Sequence, residues 1–249
     1  MKQEELRNKI FEGKKCIITG ATGGLGKQIA IEFAQANCNL FLTGRDNEKL
    51  ELLKKELKRR NQKIEIFYKS ADLTKNKDVI ELIQIVREKF STVDILINCA
   101  GNFPVSSLSE STIEEYDSCM NLNVRAPFVL SKEFSKDMIK NKWGRIVNIA
   151  SSGAYNGLKN TSIYRSSKHA LLGLSRSLSN ELKEFNVRTF CFSPGPMKTQ
   201  MGKEIINKEN PSERFDTFMQ TNEIAEFIIF VISFENNLMS PEIRMGRTI

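Results

Sequence analysis

Tyr164 stands four residues ahead of Lys168 in the stretch SIYRSSKHA (162–170), so any helix there carries a phenol and an ammonium on one turn. A free phenol titrates near 10 and is almost wholly protonated at neutral pH, and a neighbouring ammonium favours the phenolate. The pair could move a proton, or it could be an ordinary i, i+4 couple on a wet helix face; taken alone it leaves both readings open. A second chemical signal is TGATGGLG (19–26), with Gly20, Gly24 and Gly26 at TGxxxGxG spacing. A glycine turn lets a pyrophosphate approach the backbone and meet the unpaired N–H groups of a helix start, although such turns also merely join a strand to a helix.

The segments that must position these residues alternate in type. KCIIT (15–19), CNLFLT (38–43), KIEIFY (63–68), VDILIN (93–98), GRIVNIA (144–150) and VRTFCFS (187–193) are short and rich in β-branched or aromatic residues. Several are apolar throughout, which suits parallel strands covered on both faces. Between them, 24–36, 46–60, 76–90, 112–140 and 164–185 are long enough for helices. The alternation predicts an α/β fold with a doubly wound parallel sheet, and the glycine turn falls between its first strand and first helix. Residues 1–12 read as a short helical lead-in and 13–249 as a single domain, with no internal repeat or linker.

A chain of 249 residues with 40% hydrophobic content can bury the core of one large domain. The 37 basic and 30 acidic residues give a net charge of +7, but the charge is spread. Its densest run, LKKELKRRNQK (53–63), alternates with leucines at helical spacing and reads as the wet face of an amphipathic helix. The clustered cations and stacking aromatics of a nucleic-acid binder are absent. Five cysteines, at 16, 38, 99, 119 and 191, form no CxxC pair and read as small core residues in a reducing cytosol. His169, the sole histidine, cannot build a metal site with cysteines so scattered, and no metal is expected. No apolar run reaches the length of a membrane span, and MKQEELRNKI lacks the apolar core of a signal peptide. The expected location is cytoplasmic.

The glycine spacing together with Tyr-x-x-x-Lys resembles the short-chain dehydrogenase/reductase family, over about Gly13 to Thr199. Its other marks stand in order: Asp72-Leu73, NCAG (98–101), Asn123, Ser151 placed 13 positions before Tyr164, and PGPMKT (194–199). The resemblance implies a Rossmann-type sheet flanked by helices on both faces. It also implies an NADP(H)-dependent oxidoreductase that interconverts a ketone and a secondary alcohol on a small substrate. By the same resemblance Tyr164 is the general acid or base, and Lys168 lowers its pKa and binds the nicotinamide ribose. Ser151 hydrogen-bonds the carbonyl oxygen, and Asn123 holds a water linking Lys168 to solvent. The implied cofactor cradle comprises Gly20, Thr22, Gly24, Leu25, Gly26, Asp72, Leu73, Asn98, Ala100, Gly101, Pro194, Gly195 and Thr199, with Tyr164 and Lys168. A homotetramer or homodimer built partly through 112–140 and 164–185 is implied as well. Singly, Ser151 also reads as a strand-end cap and Asn123 as a kink residue near Pro127; four matching positions together argue against both.

Cofactor preference rests on LFLTGRDNEKL (40–50). NAD-using relatives place an acid at the position of Gly44, which here leaves space for a 2′-phosphate, and Arg45 can grip that phosphate through two hydrogen bonds. Arg45 could instead pair with Asp46 or Glu48, and Gly23 stands where many NADP-using relatives carry a second basic residue. Three departures stand out: Cys99 replaces the usual second asparagine, the tail NLMSPEIRMGRTI (237–249) lacks the glycine-rich end, and the lid segment 200–220 defines no one substrate. One alternative is a 3-oxoacyl-carrier-protein reductase, with Lys142 at one basic docking position for an acyl carrier protein and Phe185 at the other. A second is a non-catalytic NADP(H)-binding sensor, which could lose the four residues this chain keeps.

Overall fold

The apolar runs condense into a parallel sheet because each strand offers branched side chains to both faces, and only a sheet covered twice buries both. The computed structural model describes residues 8–209, 214–235 and 239–247; what remains of the lead-in, the lid segment and the tail lies outside the described residues. The strands are β1 (Lys15–Thr19), β2 (Asn39–Gly44), β3 (Ile66–Ser70), β4 (Ile95–Asn98), β5 (Gly144–Ile149), β6 (Val187–Pro194) and β7 (Glu242–Met245). They pair in the order β3-β2-β1-β4-β5-β6-β7, every pairing parallel. The helices are α1 (Gly24–Gln35), α2 (Asn47–Arg60), α3 (Asn76–Lys89), α4 (Ile113–Met120), α5 (Ala126–Lys140), α6 (Ser162–Leu182), α7 (Gln200–Glu209) and α8 (Thr221–Ile232). Alternation along the strands separates two cores. Cys16 and Ile18 of β1 join the core under α1, α2 and α8, whereas Ile17 joins the core under α3 and α5.

Three elements differ from the sequence expectation, each for a local reason. The strand expected at 63–68 is seated at Ile66–Ser70. Asn61 holds the preceding turn, accepting from Lys63 N–H at 3.0 Å and donating to Ala34 O at 2.9 Å. The single helix expected over 112–140 is α4, a π turn at Asn121–Arg125, and α5. Pro127 has no N–H for the carbonyl four residues back, that of Asn123, and its ring crowds that carbonyl; the ladder widens and Ala126 N–H bonds Asn121 O instead. The helix expected over 164–185 begins at Ser162 and ends at Leu182, followed by a 3₁₀ turn at Lys183–Phe185. In the tail, β7 pairs with β6 from Cys191↔Glu242 to Pro194↔Met245, a strand too short and too charged to be read from EIRM alone.

The chain leaves β1 toward β2 and β3 and returns to place β4 on the other side of β1, so the loops after β1 and β4 diverge around a crevice at the carboxyl ends of the strands. At its floor the two loops touch. A Cβ on Gly20, whose φ is +64°, would lie 2.8 Å from Ala100 Cα. Thr19 reinforces the contact by accepting from the N–H groups of Cys99 and Ala100 at 3.0 and 3.1 Å.

Gly13 shares the positive φ, at +71°, but has open space around it, which separates backbone strain from steric exclusion. Gly13→Ala is expected to cost about 1–2 kcal/mol of left-handed strain, and Gly20→Ala about 1–3 kcal/mol more through overpacking. Urea unfolding of the two variants checks this; equal losses would mean that the Gly20–Ala100 contact yields without cost.

Candidate active site

Strand and helix ends bring the chemically distinctive residues to the crevice. β5 ends at Ile149, and two residues on Ser151 Oγ accepts from Gly153 N–H at 3.0 Å, capping the 3₁₀ turn Ser152–Ala154. Its strand-end capping role is therefore real, and it uses a lone pair while leaving the hydroxyl proton. The first turns of α6 carry Tyr164 and Lys168, which are 8% and 5% exposed. The π turn carries Asn123, fully buried.

Two glycines show how closely these residues converge. The point where Gly153 would carry a Cβ lies 3.3 Å from Ser151 Oγ and 3.5 Å from Tyr164 Cε1. The equivalent point on Gly101 lies 3.2 Å from Asn123 Oδ1 and 3.6 Å from Lys168 Nζ. Lys168 Nζ sits 5.8 Å from the centre of the Tyr164 ring and donates to Ile149 O at 2.8 Å. Ser151, Tyr164, Lys168 and Asn123 thus form one group. Asn123 Nδ2 serves three acceptors, Asn102 O at 3.1 Å, Ser167 Oγ at 3.0 Å and Cys119 Sγ at 3.3 Å, while its Oδ1 accepts from Asn102 N–H at 3.1 Å. That amide is fully engaged in holding the loop after β4.

Burial pushes the Lys168 ammonium down to about 8, opposed by the nearby sulfurs of Cys99, Cys119 and Cys191. Those thiols are no counter-charge: burial raises all three, Cys99 to about 12. Lys168 is a buried cation with no carboxylate partner among the described residues.

The remaining positions line the crevice or support it. Gly23 and Gly24 are exposed at an α1 start that no side chain caps, so its N–H groups face outward, while Leu25 and Gly26 are buried behind them. Thr199 Cγ2 lies 2.6 Å from where Gly24 would carry a Cβ, and its Oγ1 accepts from Gly202 N–H at 2.9 Å to start α7. Pro194 ends β6, and Gly195 N–H extends the pairing to Met245 O. Asp72 turns inward on its own loop; burial pushes its carboxyl up, but hydrogen bonds from Thr74 and the charge of Lys75 outweigh that and hold it low. Leu73 is buried in the core beneath α3. Asn98 Nδ2 donates to Asn148 Oδ1 at 2.8 Å, and Asn98 Oδ1 and Asn102 Oδ1 are buried without partners among the described residues.

Arg45 is exposed, and its guanidinium has no partner among the described residues. Asp46 caps α2 through Lys49 N–H at 3.0 Å and pairs with Lys49 Nζ, so it does not hold Arg45. The space at Gly44 is narrower than expected, since a Cβ there would lie 3.0 Å from Thr22 Oγ1. Arg45 lines a cleft of about 560 Å³ with Gly101, Asn102, Phe103, Pro104, Val105, Glu114, Glu115, Ser118, Met201 and Glu204. Lys142 and Phe185 lie at the other ends of β5 and β6, the lysine exposed and the phenylalanine half-buried against the core.

Sequence reading missed Thr19, Asn102, Phe103 and Ser167, which act through contacts between loops distant in sequence. Only the N and F after NCAG, polar and aromatic in an apolar neighbourhood, could have drawn notice. Among the described residues, no helix is long and apolar enough to cross a membrane, and no group of three or more His, Cys, Asp or Glu could hold a metal ion.

The sequence profile of the short chain dehydrogenase family matches residues 14–210. An uncharacterized oxidoreductase of Thermotoga maritima is 30% identical, with 94% of this chain and 95% of that protein covered. One from Staphylococcus aureus is 27% identical, covering 94% and 97%. Among solved structures, an alcohol dehydrogenase from the archaeon Thermococcus sibiricus complexed with 5-hydroxy-NADP superposes with a TM-score of 0.84 at 26% identity, covering 96% of this chain and 97% of that one. The L-sorbose reductase of Gluconobacter frateurii, complexed with NADPH and L-sorbose, gives 0.80 at 26% identity, covering 89% and 90%. The order of the strands, the glycine turn at the crevice and the profile match over most of the chain agree: the protein is an oxidoreductase of the short chain dehydrogenase family.

Proposed function

We propose that this protein is an NADP(H)-dependent reductase that interconverts a ketone and a secondary alcohol, with Tyr164 as the proton donor. The observation that carries the reading is the convergence of Ser151, Tyr164 and Asn123 on a buried Lys168 that has no carboxylate partner among the described residues. The cradle suits a dinucleotide. Gly20 and Gly24 leave no room for a side chain, the start of α1 is open, and Asn98 and Asn102 hold unpartnered acceptors. Arg45 offers a guanidinium with no partner among the described residues for a 2′-phosphate. NADPH, when bound there, supplies the hydride for the carbonyl carbon.

The protein's own groups manage the proton. Tyr164 gives its phenolic proton to the carbonyl oxygen, and the Ser151 hydroxyl, its proton unused by the cap, hydrogen-bonds that oxygen as charge develops. With a pKa of about 8, Lys168 is roughly nine-tenths protonated at pH 7, so a cation stands beside the phenolate left behind. The engaged amide of Asn123 changes its part in our reading: the water linking Lys168 to solvent rests on the Asn123 main-chain carbonyl that Pro127 leaves without its helical donor. The carrier-protein substrate would rest on Lys142 alone, because Phe185 packs against the core. Self-association through α4 and α5 is part of the proposal and is supported by Ile113, Tyr116 and Phe128, which are 71%, 42% and 48% exposed.

Tyr164→Phe is expected to abolish carbonyl reduction while NADPH affinity, read by fluorescence titration, stays within about two-fold; reduction within a few-fold of the parent would remove Tyr164 as proton donor.

Arg45→Ala is expected to weaken NADPH binding about ten-fold or more and to leave NADH nearly unchanged. Equal effects on both cofactors would deny Arg45 the phosphate.

Burial also sets a stability signature. The folded pKa of Lys168 lies below the ordinary 10.5, so the unfolded chain binds the proton more tightly. The ammonium therefore costs about 3 kcal/mol below pH 8, a cost that fades as pH rises toward 10.5. The stability of the parent relative to Lys168→Met, from urea unfolding, should rise by up to about 3 kcal/mol between pH 7 and pH 10. A difference that stays flat with pH would show that the ammonium is not desolvated.

A further inference from the structure

Phe103 follows the loop residue that the buried site grips most firmly. Asn123 holds the main chain of Asn102 from both sides, accepting its N–H and donating to its carbonyl, each at 3.1 Å. On the other side of Phe103 stands Pro104, whose ring fixes its own φ and confines the residue before it to extended backbone. The Phe103 backbone is thereby pinned between two restrained residues, and its ring can move only about its own torsions.

That ring lies on Tyr164. The two ring centres are 4.0 Å apart at an interplanar angle of 47°, the closest aromatic pair among the described residues. Phe103 also lines the cleft, beside Pro104, Val105 and Met201. With the two rings this close, a ketone whose oxygen reaches the Tyr164 hydroxyl would bring one of its two substituents toward the Phe103 ring. A pinned aromatic wall accepts a small group there and meets each added methylene as overpacking.

We propose that Phe103 is a specificity-determining residue that restricts the substrate to ketones with one compact flank, methyl ketones foremost. This rests on the reading of Tyr164 as proton donor. The larger substituent then extends along the apolar side of the cleft.

The test compares the parent with Phe103→Ala and Phe103→Leu on acetophenone, propiophenone and butyrophenone with NADPH, three ketones that differ only in the shorter substituent. In the parent, kcat/KM should fall about ten-fold or more from methyl to propyl, mainly through KM. In Phe103→Ala the three values should agree within about three-fold, with Phe103→Leu between, because the wall has been removed. NADPH dissociation constants, measured by fluorescence, should match across all three proteins within about two-fold, reporting an intact cofactor site. The same dependence on chain length in all three proteins would overturn the proposal. A uniform loss on every ketone with NADPH binding intact would also overturn it, since Phe103 would then only support Tyr164. If the parent reduced none of these ketones and no other carbonyl compound, the proposed reductase activity itself would fall, a result distinct from an unchanged size preference.

Discussion

One buried ammonium organises this site. Lys168 is removed from water on α6, and no carboxylate among the described residues compensates it; it has the carbonyl of Ile149 and three thiols that burial keeps neutral. Removing a cation from water is unfavourable unless something nearby welcomes the charge, and the group that gains most is a phenol about to lose its proton. The end of β5 supplies the carbonyl that anchors the cation and, two residues later, the hydroxyl of Ser151. The preceding turn of the same helix supplies Tyr164. In the proposed mechanism catalytic readiness and a local cost to stability have one cause, the desolvation that depresses the lysine pKa.

Around that cation the architecture works by close approach of backbone to backbone. Gly20 rests on Ala100 at the topological switch point, and Thr19 ties the two loops with hydrogen bonds at 3.0 and 3.1 Å. From there the π turn reaches back, and the Asn123 amide fastens the loop at Asn102. Pro127 is the origin of that turn, so a residue with no polar side chain decides where a buried amide points. The result is a crevice whose floor is closely packed and whose outer wall is formed by α7 and the half-buried loop 101–105.

Much of this was legible in the residues. Alternation of apolar strands with amphipathic helices specified the doubly wound sheet, because each strand had to be buried on both faces. The spacing of Gly20, Gly24 and Gly26 located the crevice, and the separation of Ser151 from Tyr164 matched the distance from the end of β5 to the start of α6. One helix was expected over 112–140 although Pro127 lies within it; the π turn couples that break to contacts of Asn123 with Asn102 and Ser167, which lie far away in sequence. The shift of β3 followed from Asn61 bonding to α1, again a nonlocal choice. EIRM gave no strand signal because β7 takes its order from the edge of β6 rather than from its own propensity. The Phe103–Tyr164 contact was invisible for the same reason.

In the proposed mechanism Tyr164 passes a proton to and from the substrate oxygen under the influence of a buried lysine. The most direct measurement is the pH dependence of kcat/KM in both directions on one ketone–alcohol pair with saturating NADPH or NADP. Reduction requires the phenol and oxidation the phenolate, so reduction should fall and oxidation rise as pH increases, each through the apparent pKa of its own cofactor complex. Two profiles that rise and fall together would contradict it.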